Sequence, residues 1–344
     1  MTGSVFVKAP LNLHERDAPL FVPYQIYQYE QTKIKRFRNV FVTHSGLSVN
    51  RNGLIKESHH SYSHQLLNYQ NEAAHYYYIA TENSDNLITL DEEDLYLQIH
   101  HPWYNYFHWI TEPIFRLWAV RRQLDKMVLI LPERYKRADF IMGSLEPFKI
   151  KNIFFIPEGK SLLIRNLCLP QIKPVCDSFN PYHLEQIRKF YTKYVLSAKR
   201  IIAPAVERVY ISRELAGRRK VVNEDAILRV LAKYGFQTFY PEKWCFLEQV
   251  AYFSKIKFLI GTHGSGLTNI LFMPKGSSLL ELHKDETNEL DHPSPLFWYM
   301  SDALKINYYQ QLCETVGQED YFTGDYWIDL ELLEINIRLM LGLS

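Results

Sequence analysis

From residue 208 onward the chain alternates short apolar runs with amphipathic stretches, and this alternation limits its possible folds more than any other feature. "RVYISR" reads as a strand, "NEDAILRVLAKYG" as a helix, "FQTFY" as a strand and "FLEQVAYFSK" as a helix. "KFLIG", "LTNILFM" and "SSLLELH" follow as strand, short helix and strand. The first helix keeps an apolar face of Ile227, Val230, Leu231 and Tyr234. Asn223 stands at its capping position, Glu224 and Asp225 occupy its first turn, and Gly235 closes it. A chain that returns through a helix re-enters a sheet in the same direction, so these four strands and three helices predict a doubly wound parallel sheet. Ligands of such sheets bind outside the carboxyl ends of the strands.

The loop leaving "KFLI" is "GTHGSGLTN", Gly261 to Asn269. It has the glycine spacing of a triphosphate-binding loop, but Leu267 stands where that loop needs lysine. Its GxxGxG order, in the last strand–helix turn, is not the dinucleotide fingerprint, which disfavours a nicotinamide-dependent oxidoreductase. What both patterns share remains: amides and the positive end of a helix facing the crevice. Ser265 or Thr268 is placed to cap that helix, and His263 to face a ligand. On the glycines alone, a tight packing turn fits equally well. "YISRELAGRRKVVNE" adds Arg213, Arg218 and Arg219 in the loop after the first strand of the same sheet. Guanidinium forks and helix amides together can hold a diphosphate without a metal.

The first half is less regular. "NVFVTHSGLSVNRNGLIK" reads as a hairpin about Asn52-Gly53, and "HYYYIA" as another strand. From Asn105 the spacing turns helical, with Phe107, Ile110, Ile114, Leu117, Trp118 and Arg121 on one face. "KMVLILP", "YKRADFIMGSLEPF" and "KNIFFIP" then form a strand–helix–strand unit, and residues 180–200 a linking helix. The expected fold class is α/β, with two Rossmann-like domains joined near residue 200 and a β-rich N-terminal segment. Residues 1–200 form the first domain and 201–344 the second, whose last helix could pack back on the first.

Other classes are disfavoured by bulk properties. A formal net charge of +1 gives no global field for nucleic acid. Cys168, Cys176, Cys245 and Cys313 contain no CxxC pair, so reduced thiols are expected rather than a disulfide framework or a structural zinc site. His59, His60, His64, His75, His100, His101 and His108 crowd the first half without a metal-ligand spacing, so no metal is expected. The start of the chain lacks a basic region followed by an apolar core, and no run of about 18 apolar residues occurs.

Three segments together resemble glycosyltransferase family 61. "NYFHWITEPIFRL" is similar to the family's N-Y-[YF]-H-W-x-x-E-x-x-P-R-L, and "YISRELAGRRKVVNE" to its serine–arginine and asparagine–glutamate motif. "GTHGSGLTNILFMPKGSSLLEL" is similar to its glycine–histidine motif ending in Glu-Leu. The resemblance spans about residues 100–285 in register. One departure is visible: Pro113 directly follows Glu112, and Phe115 takes the family's proline position before Arg116. A proline there disfavours helical geometry at Glu112.

The resemblance implies a GT-B fold, two Rossmann-like domains facing across a cleft with the donor in the C-terminal one, and inversion at the anomeric carbon. It implies transfer from a nucleotide sugar, UDP-linked in expectation, to a glycan or lipid-linked glycan during capsule or lipopolysaccharide synthesis. A non-catalytic nucleotide- or glycan-binding module of the same fold is the alternative. The expected donor set is Ser212, Arg213, Arg218, His263, Gly264, Ser265, Gly266, Leu267, Thr268, Asn269 and Glu281, with Glu281 on the ribose hydroxyls. Asn223 and Glu224 are expected to brace the arginine loop. His108 and Glu112, four residues apart, supply the base: either residue, or a dyad in which Glu112 orients His108. No cofactor or nucleic-acid partner is expected, and the location is the cytoplasm, peripherally at the inner membrane face.

Overall fold

The computed structural model describes residues 2–198, 201, 203–284, 291–317 and 323–343. It is a mixed α/β chain with two compact units, Glu30–Ser178 and Thr2–Tyr29 together with Phe179–Ser344. The division lies near residue 178, and the opening segment, with its ribbon of β1 (Thr2–Phe6) and β2 (Ile26–Glu30), belongs with the second unit. Hydrogen bonds explain why. Asn12 binds the backbone of Gln310 in both directions, at 2.6 and 2.9 Å, Leu11 N–H donates to the Tyr308 carbonyl, and Trp298 Nε1 donates to the Lys8 carbonyl. The bonds to Tyr308 and Gln310 use backbone groups of the edge strand that would otherwise face water or another chain.

The first unit is built on an eight-stranded mixed sheet. Its strands are β3 (Ile34–Thr43), β4 (Ser48–Asn50), β5 (Gly53–Leu54), β6 (Leu87–Thr89), β7 (Tyr96–Gln98), β8 (Val128–Pro132), β9 (Ile153–Ile156) and β10 (Ser161–Pro170). They lie in the order β5-β4-β3-β10-β7-β8-β9, with β6 also on β10. The expected hairpin is β4–β5, with Asn50 opposite Gly53 and Gly53 at φ +100°. The expected parallel pair is β8–β9. β10 was not anticipated, although it joins the sheet together: it pairs antiparallel with β3 and parallel with β6 and β7, and buries Leu162, Ile164 and Leu167.

Four helices belong to this unit: α1 (Ser63–Glu82), α2 (Tyr106–Thr111), α3 (Pro113–Val120) and α4 (Asp139–Leu145). α1 corrects one expectation, because "HYYYIA" is helical. Its tyrosines favour strands locally, but Tyr69, Ala73 and Ala80 are buried three to four residues apart or a multiple of that, and the helix packs by that face.

The second unit matches the alternation and extends it. α5 (Pro181–Ser197) precedes β11 (Arg208–Ile211), α6 (Glu224–Lys233), β12 (Gln237–Phe239), α7 (Phe246–Phe253), β13 (Phe258–Thr262) and β14 (Ser278–His283). α8 (Leu296–Leu304) and a fifth strand, β15 (Asn307–Leu312), follow, then a small ribbon of β16 (Glu314–Val316) and β17 (Asp325–Trp327), and α9 (Leu330–Leu341). The five strands are all parallel in the order β12-β11-β13-β14-β15. From β11 the chain steps out to β12, then back past β11 to β13. That reversal places a crevice between the carboxyl ends of β11 and β13.

α9 packs its Leu333, Ile337 and Met340 into the core under β14 and α6, and its Asn336 accepts from the Asn12 amide of the opening segment at 2.8 Å. Two further expectations are corrected here. The segment after the glycine loop, Ser265–Phe272, is a 3-10 helix whose capping position is Gly264, so neither Ser265 nor Thr268 caps it. Asn223 stands at the start of α6 without capping it, because its amide bonds the backbone of Ile328, donating at 2.8 Å and accepting at 3.2 Å.

Candidate functional site

The two loops at the chain reversal carry the first cluster. Arg213 follows β11 and spends two donors on its own loop, Nε to the Arg219 carbonyl and Nη2 to the Arg218 carbonyl, both at 2.9 Å. Its remaining amine, Nη1, lies against Gly264: a Cβ built there would overlap it. Glycine at 264 leaves the space that this guanidinium occupies, and any side chain there would displace it. Arg213 has no carboxylate partner among the described residues. Arg219, held at φ +58°, reaches the His263 carbonyl with Nη1 at 3.5 Å. Burial and the neighbouring Arg213 charge lower its pKa to about 10, so it stays charged at neutral pH.

The 3-10 helix starts at Ser265, and Leu267 N–H closes its first turn on the Gly264 carbonyl at 2.9 Å. The amides of Gly264, Ser265 and Gly266 precede that closure and have no partner among the described residues. Two guanidiniums therefore lie beside Gly264, at the start of a helix whose first three amides have no partner among the described residues; these are the kinds of donor an anion site uses.

The expected donor residues separate accordingly. Arg213, His263, Gly264, Ser265 and Gly266 form this site. Arg218 lends its carbonyl to Arg213 while its side chain is exposed; Arg219 occupies the place expected for it. Leu267 and Thr268 are buried. Asn269 braces the turn by donating to Gln249 Oε1 at 2.9 Å and to the Gly266 carbonyl at 3.2 Å. Ser212 anchors the strand end, its N–H donating to the Phe239 carbonyl and its hydroxyl accepting from Glu214 N–H. Glu224 accepts from the Tyr210 hydroxyl at 2.8 Å and so braces β11. Glu281 does not reach toward a ribose: it is fully buried behind His263, with Oε1 2.7 Å from His263 Nδ1 and Oε2 accepting from Tyr308 at 2.8 Å. Burial raises its pKa to about 7, and burial with the two arginine charges lowers His263 to about 3.

The second cluster lies in the first unit around Glu112. Asn105 caps α2 by accepting the N–H of His108 at 3.1 Å. Pro113 opens α3, and Glu112 between the helices takes φ −121°, ψ −69°, outside helical geometry as the proline predicts. The break does not separate the pair: Glu112 N–H still donates to the His108 carbonyl, and His108 Nδ1 lies 3.2 Å from Glu112 Oε2. Two more imidazoles close on the same carboxylate, His60 Nε2 at 3.0 Å from Oε1 and His101 Nε2 at 2.9 Å from Oε2. The Trp103 N–H donates to His101 Nδ1, so the His101 proton sits on Nε2, facing Glu112. Burial alone would raise the Glu112 pKa, but hydrogen bonds from His101, His108 and His60 hold it well below the usual carboxylate range. His101 is pushed down to about 4 by burial. Of the three imidazoles only His108 is reachable, its side chain 15% exposed against 1% and 0% for His60 and His101. Arg116 is buried beneath, donating to the carbonyls of Pro170, Ile99 and Glu57, which ties the helix to the sheet.

Among the described residues, two groups have metal-ligating composition. His60, His108, Glu112 and Cys176 bring ligand atoms within 4.8 Å of one another, and so do His263, Glu281 and His283. The first has the donors of a zinc site, although its carboxylate already accepts from the imidazoles. The second lies beside Arg213 and Arg219, whose fixed charges repel a cation. Sequence spacing missed His60, His101 and Tyr308, and it named Arg219 in the arginine loop without placing it in the donor set. The crowding of histidines before residue 110 was the only visible trace of the first two.

The family model for glycosyltransferase 61 matches residues 106–280. The chain belongs to glycosyltransferase family 61. The matched segment holds His108, Glu112, Arg213, Arg219 and the glycine loop, while His60, His101, Glu281 and Tyr308 lie outside it. The chain is also similar to the EGF domain-specific O-linked N-acetylglucosamine transferase of Drosophila melanogaster, 29% identical over 143 residues. That match covers 38% of this family 61 chain and 27% of the relative, so the chain spans about a quarter of the length of the curated relative it matches. No helix among the described residues is long and apolar enough to cross a membrane.

Proposed function

We propose that this family 61 chain moves a sugar from a UDP-linked donor to a hydroxyl of a glycan acceptor, with inversion, on a GT-B plan in which the second unit binds the donor. Arg213 and Arg219 beside Gly264, at the start of a helix whose first three amides have no partner among the described residues, carry the reading. As the bond from the anomeric carbon to the diphosphate oxygen breaks, negative charge grows on the leaving group, and these donors stabilise it without a metal. The acceptor hydroxyl attacks from the opposite face and gives its proton to His108 Nε2. His108 Nδ1–H donates to Glu112, whose low pKa keeps it an anion that stabilises the imidazolium. Of the three assignments open from sequence, this favours the dyad, because Glu112 itself is fully buried. Surface polysaccharide, such as capsule or lipopolysaccharide, is the proposed destination of the sugar.

A panel of UDP-, GDP- and CMP-sugars, tested by calorimetry and transfer assay with and without a chelator, checks this reading. Arg213→Ala should abolish measurable donor binding. His108→Ala and Glu112→Gln should lower kcat by about 10²–10⁴ while leaving the donor Kd unchanged. Absence of nucleotide binding would sink the reading. Binding without turnover, unaffected by His108→Ala, would leave a non-catalytic module. Transfer to a folded EGF domain, the acceptor named for the relative, and not to glycans would replace the acceptor class.

A further inference from the structure

Behind the proposed donor site runs a short buried chain of hydrogen bonds from β15 to the glycine loop. The Tyr308 hydroxyl donates to Glu281 Oε2 at 2.8 Å, and Glu281 Oε1 lies 2.7 Å from His263 Nδ1. Glu281 is 0% exposed, so no water competes for either oxygen. His263 Nε2 has no hydrogen-bond partner among the described residues and is the ring atom left for a ligand. A separation of 2.7 Å between a carboxylate oxygen and a ring nitrogen demands a proton between them. Which atom owns that proton decides what Nε2 offers.

We propose that Tyr308, acting through Glu281, is a positioning residue that sets the protonation of the His263–Glu281 pair, so that donor binding takes up one proton there and presents His263 Nε2–H to the diphosphate. The inference rests on the donor-site reading above. With Glu281 ionised, His263 Nδ1–H donates to Oε1 and Nε2 carries a lone pair, which repels a phosphate oxygen. One proton taken from solvent places a hydrogen on Oε1, which donates to Nδ1, and the ring's own hydrogen then sits on Nε2 as a donor.

The groups facing the pair agree with this form. Arg213 and Arg219, from the loop after β11, oppose an imidazolium. His283, on the same strand as Glu281, lies with Nε2 3.6 Å from Oε1 and is held neutral, its pKa lowered to about 3 by burial. Tyr308 on β15 and Tyr326 on β17 are neutral phenols with raised pKa values. The extra proton therefore belongs to the carboxyl, which burial has raised to about 7.

The test is the pH dependence of UDP-N-acetylglucosamine affinity, or of a GDP-sugar if that binds instead, from about pH 5.5 to about 9, a range in which the diphosphate of a nucleotide sugar does not titrate. For the wild type, Kd should be constant below about pH 7 and weaken by up to about tenfold per pH unit above it. Tyr308→Phe removes a donor to the carboxylate, so the pair keeps its proton longer and the midpoint should move to higher pH. Glu281→Gln offers Nδ1 a permanent amide N–H, so its affinity should be flat with pH. If Tyr308→Phe does not fold, Glu281→Gln decides alone. A flat wild-type profile overturns the inference, and so does a midpoint that falls in Tyr308→Phe or a wild-type profile retained in Glu281→Gln. Absence of binding by the wild type at every pH would instead remove the donor-site reading itself.

Discussion

At the scale of single residues, the proposed donor site depends on what a glycine leaves out. Gly264 has extended backbone angles that any residue adopts, φ 164° and ψ 172°, so its identity is not a matter of backbone strain. The requirement is space for Arg213 Nη1. Because the obstructing atom ends a flexible side chain, Gly264→Ala should fold with a melting temperature close to wild type. The displaced guanidinium should nevertheless weaken nucleotide-sugar binding at least tenfold, a loss of about 1.4 kcal/mol that calorimetry would resolve. An unchanged Kd would remove Arg213 from the site. Gly264 and Arg213 were legible in sequence through their motifs. That Arg219 and not Arg218 turns inward was not, since it depends on a positive φ at Arg219.

At the scale of elements, the helix break at Glu112 positions the carboxylate of the proposed dyad. Asn105 fixes where α2 begins by binding the His108 N–H, and Pro113 fixes where α3 begins. Glu112 is held between them outside helical geometry, at φ −121° and ψ −69°, and its one carboxylate meets His60, His101 and His108 together. Pro113→Ala removes the steric bar to helical geometry at Glu112. The expected result is a kcat at least tenfold lower, an unchanged donor Kd and a stability change under about 1 kcal/mol, measured by steady-state kinetics and thermal melting. A kcat equal to wild type would show that the imidazoles alone hold the carboxylate. The four-residue spacing of His108 and Glu112 was readable in sequence. His60 and His101 were not, because they come from other segments and share no periodicity with α2. "HYYYIA" failed for the related reason that packing of α1 outweighs local strand preference.

For the whole molecule, the interior holds histidines in their neutral form, and stability should record it. Burial lowers His101 to about 4 and His263 and His283 to about 3, and holds His100, beside Arg116, well below its ordinary value. Below about pH 6.5 the unfolded chain binds protons at these sites that the folded chain refuses, so stability falls as pH falls. Glu281 works the other way between about pH 4.5 and its raised value of about 7, where the folded state holds a proton that the unfolded state releases. Four histidines outweigh one carboxyl, so the denaturation midpoint should drop steadily from about pH 7 to about pH 5. Each excess proton contributes at most about 1.4 kcal/mol per pH unit. A midpoint constant over that interval would contradict the buried neutral state.

The sequence by itself determined the alternation that makes the second unit's parallel sheet, the two loops at its chain reversal, and the pairing of His108 with Glu112. All of these rest on spacing within one segment, which local geometry converts directly into position. Only the tertiary structure decided which residues of distant segments meet. It closed the first unit's sheet with β10, set the opening residues along β15, gathered three imidazoles on Glu112, and placed Glu281 behind His263 rather than beside a ribose. The physical reason is the same in each case: these contacts are chosen by burial and by the need to pair buried polar groups, and neither leaves a mark at a fixed distance along the chain.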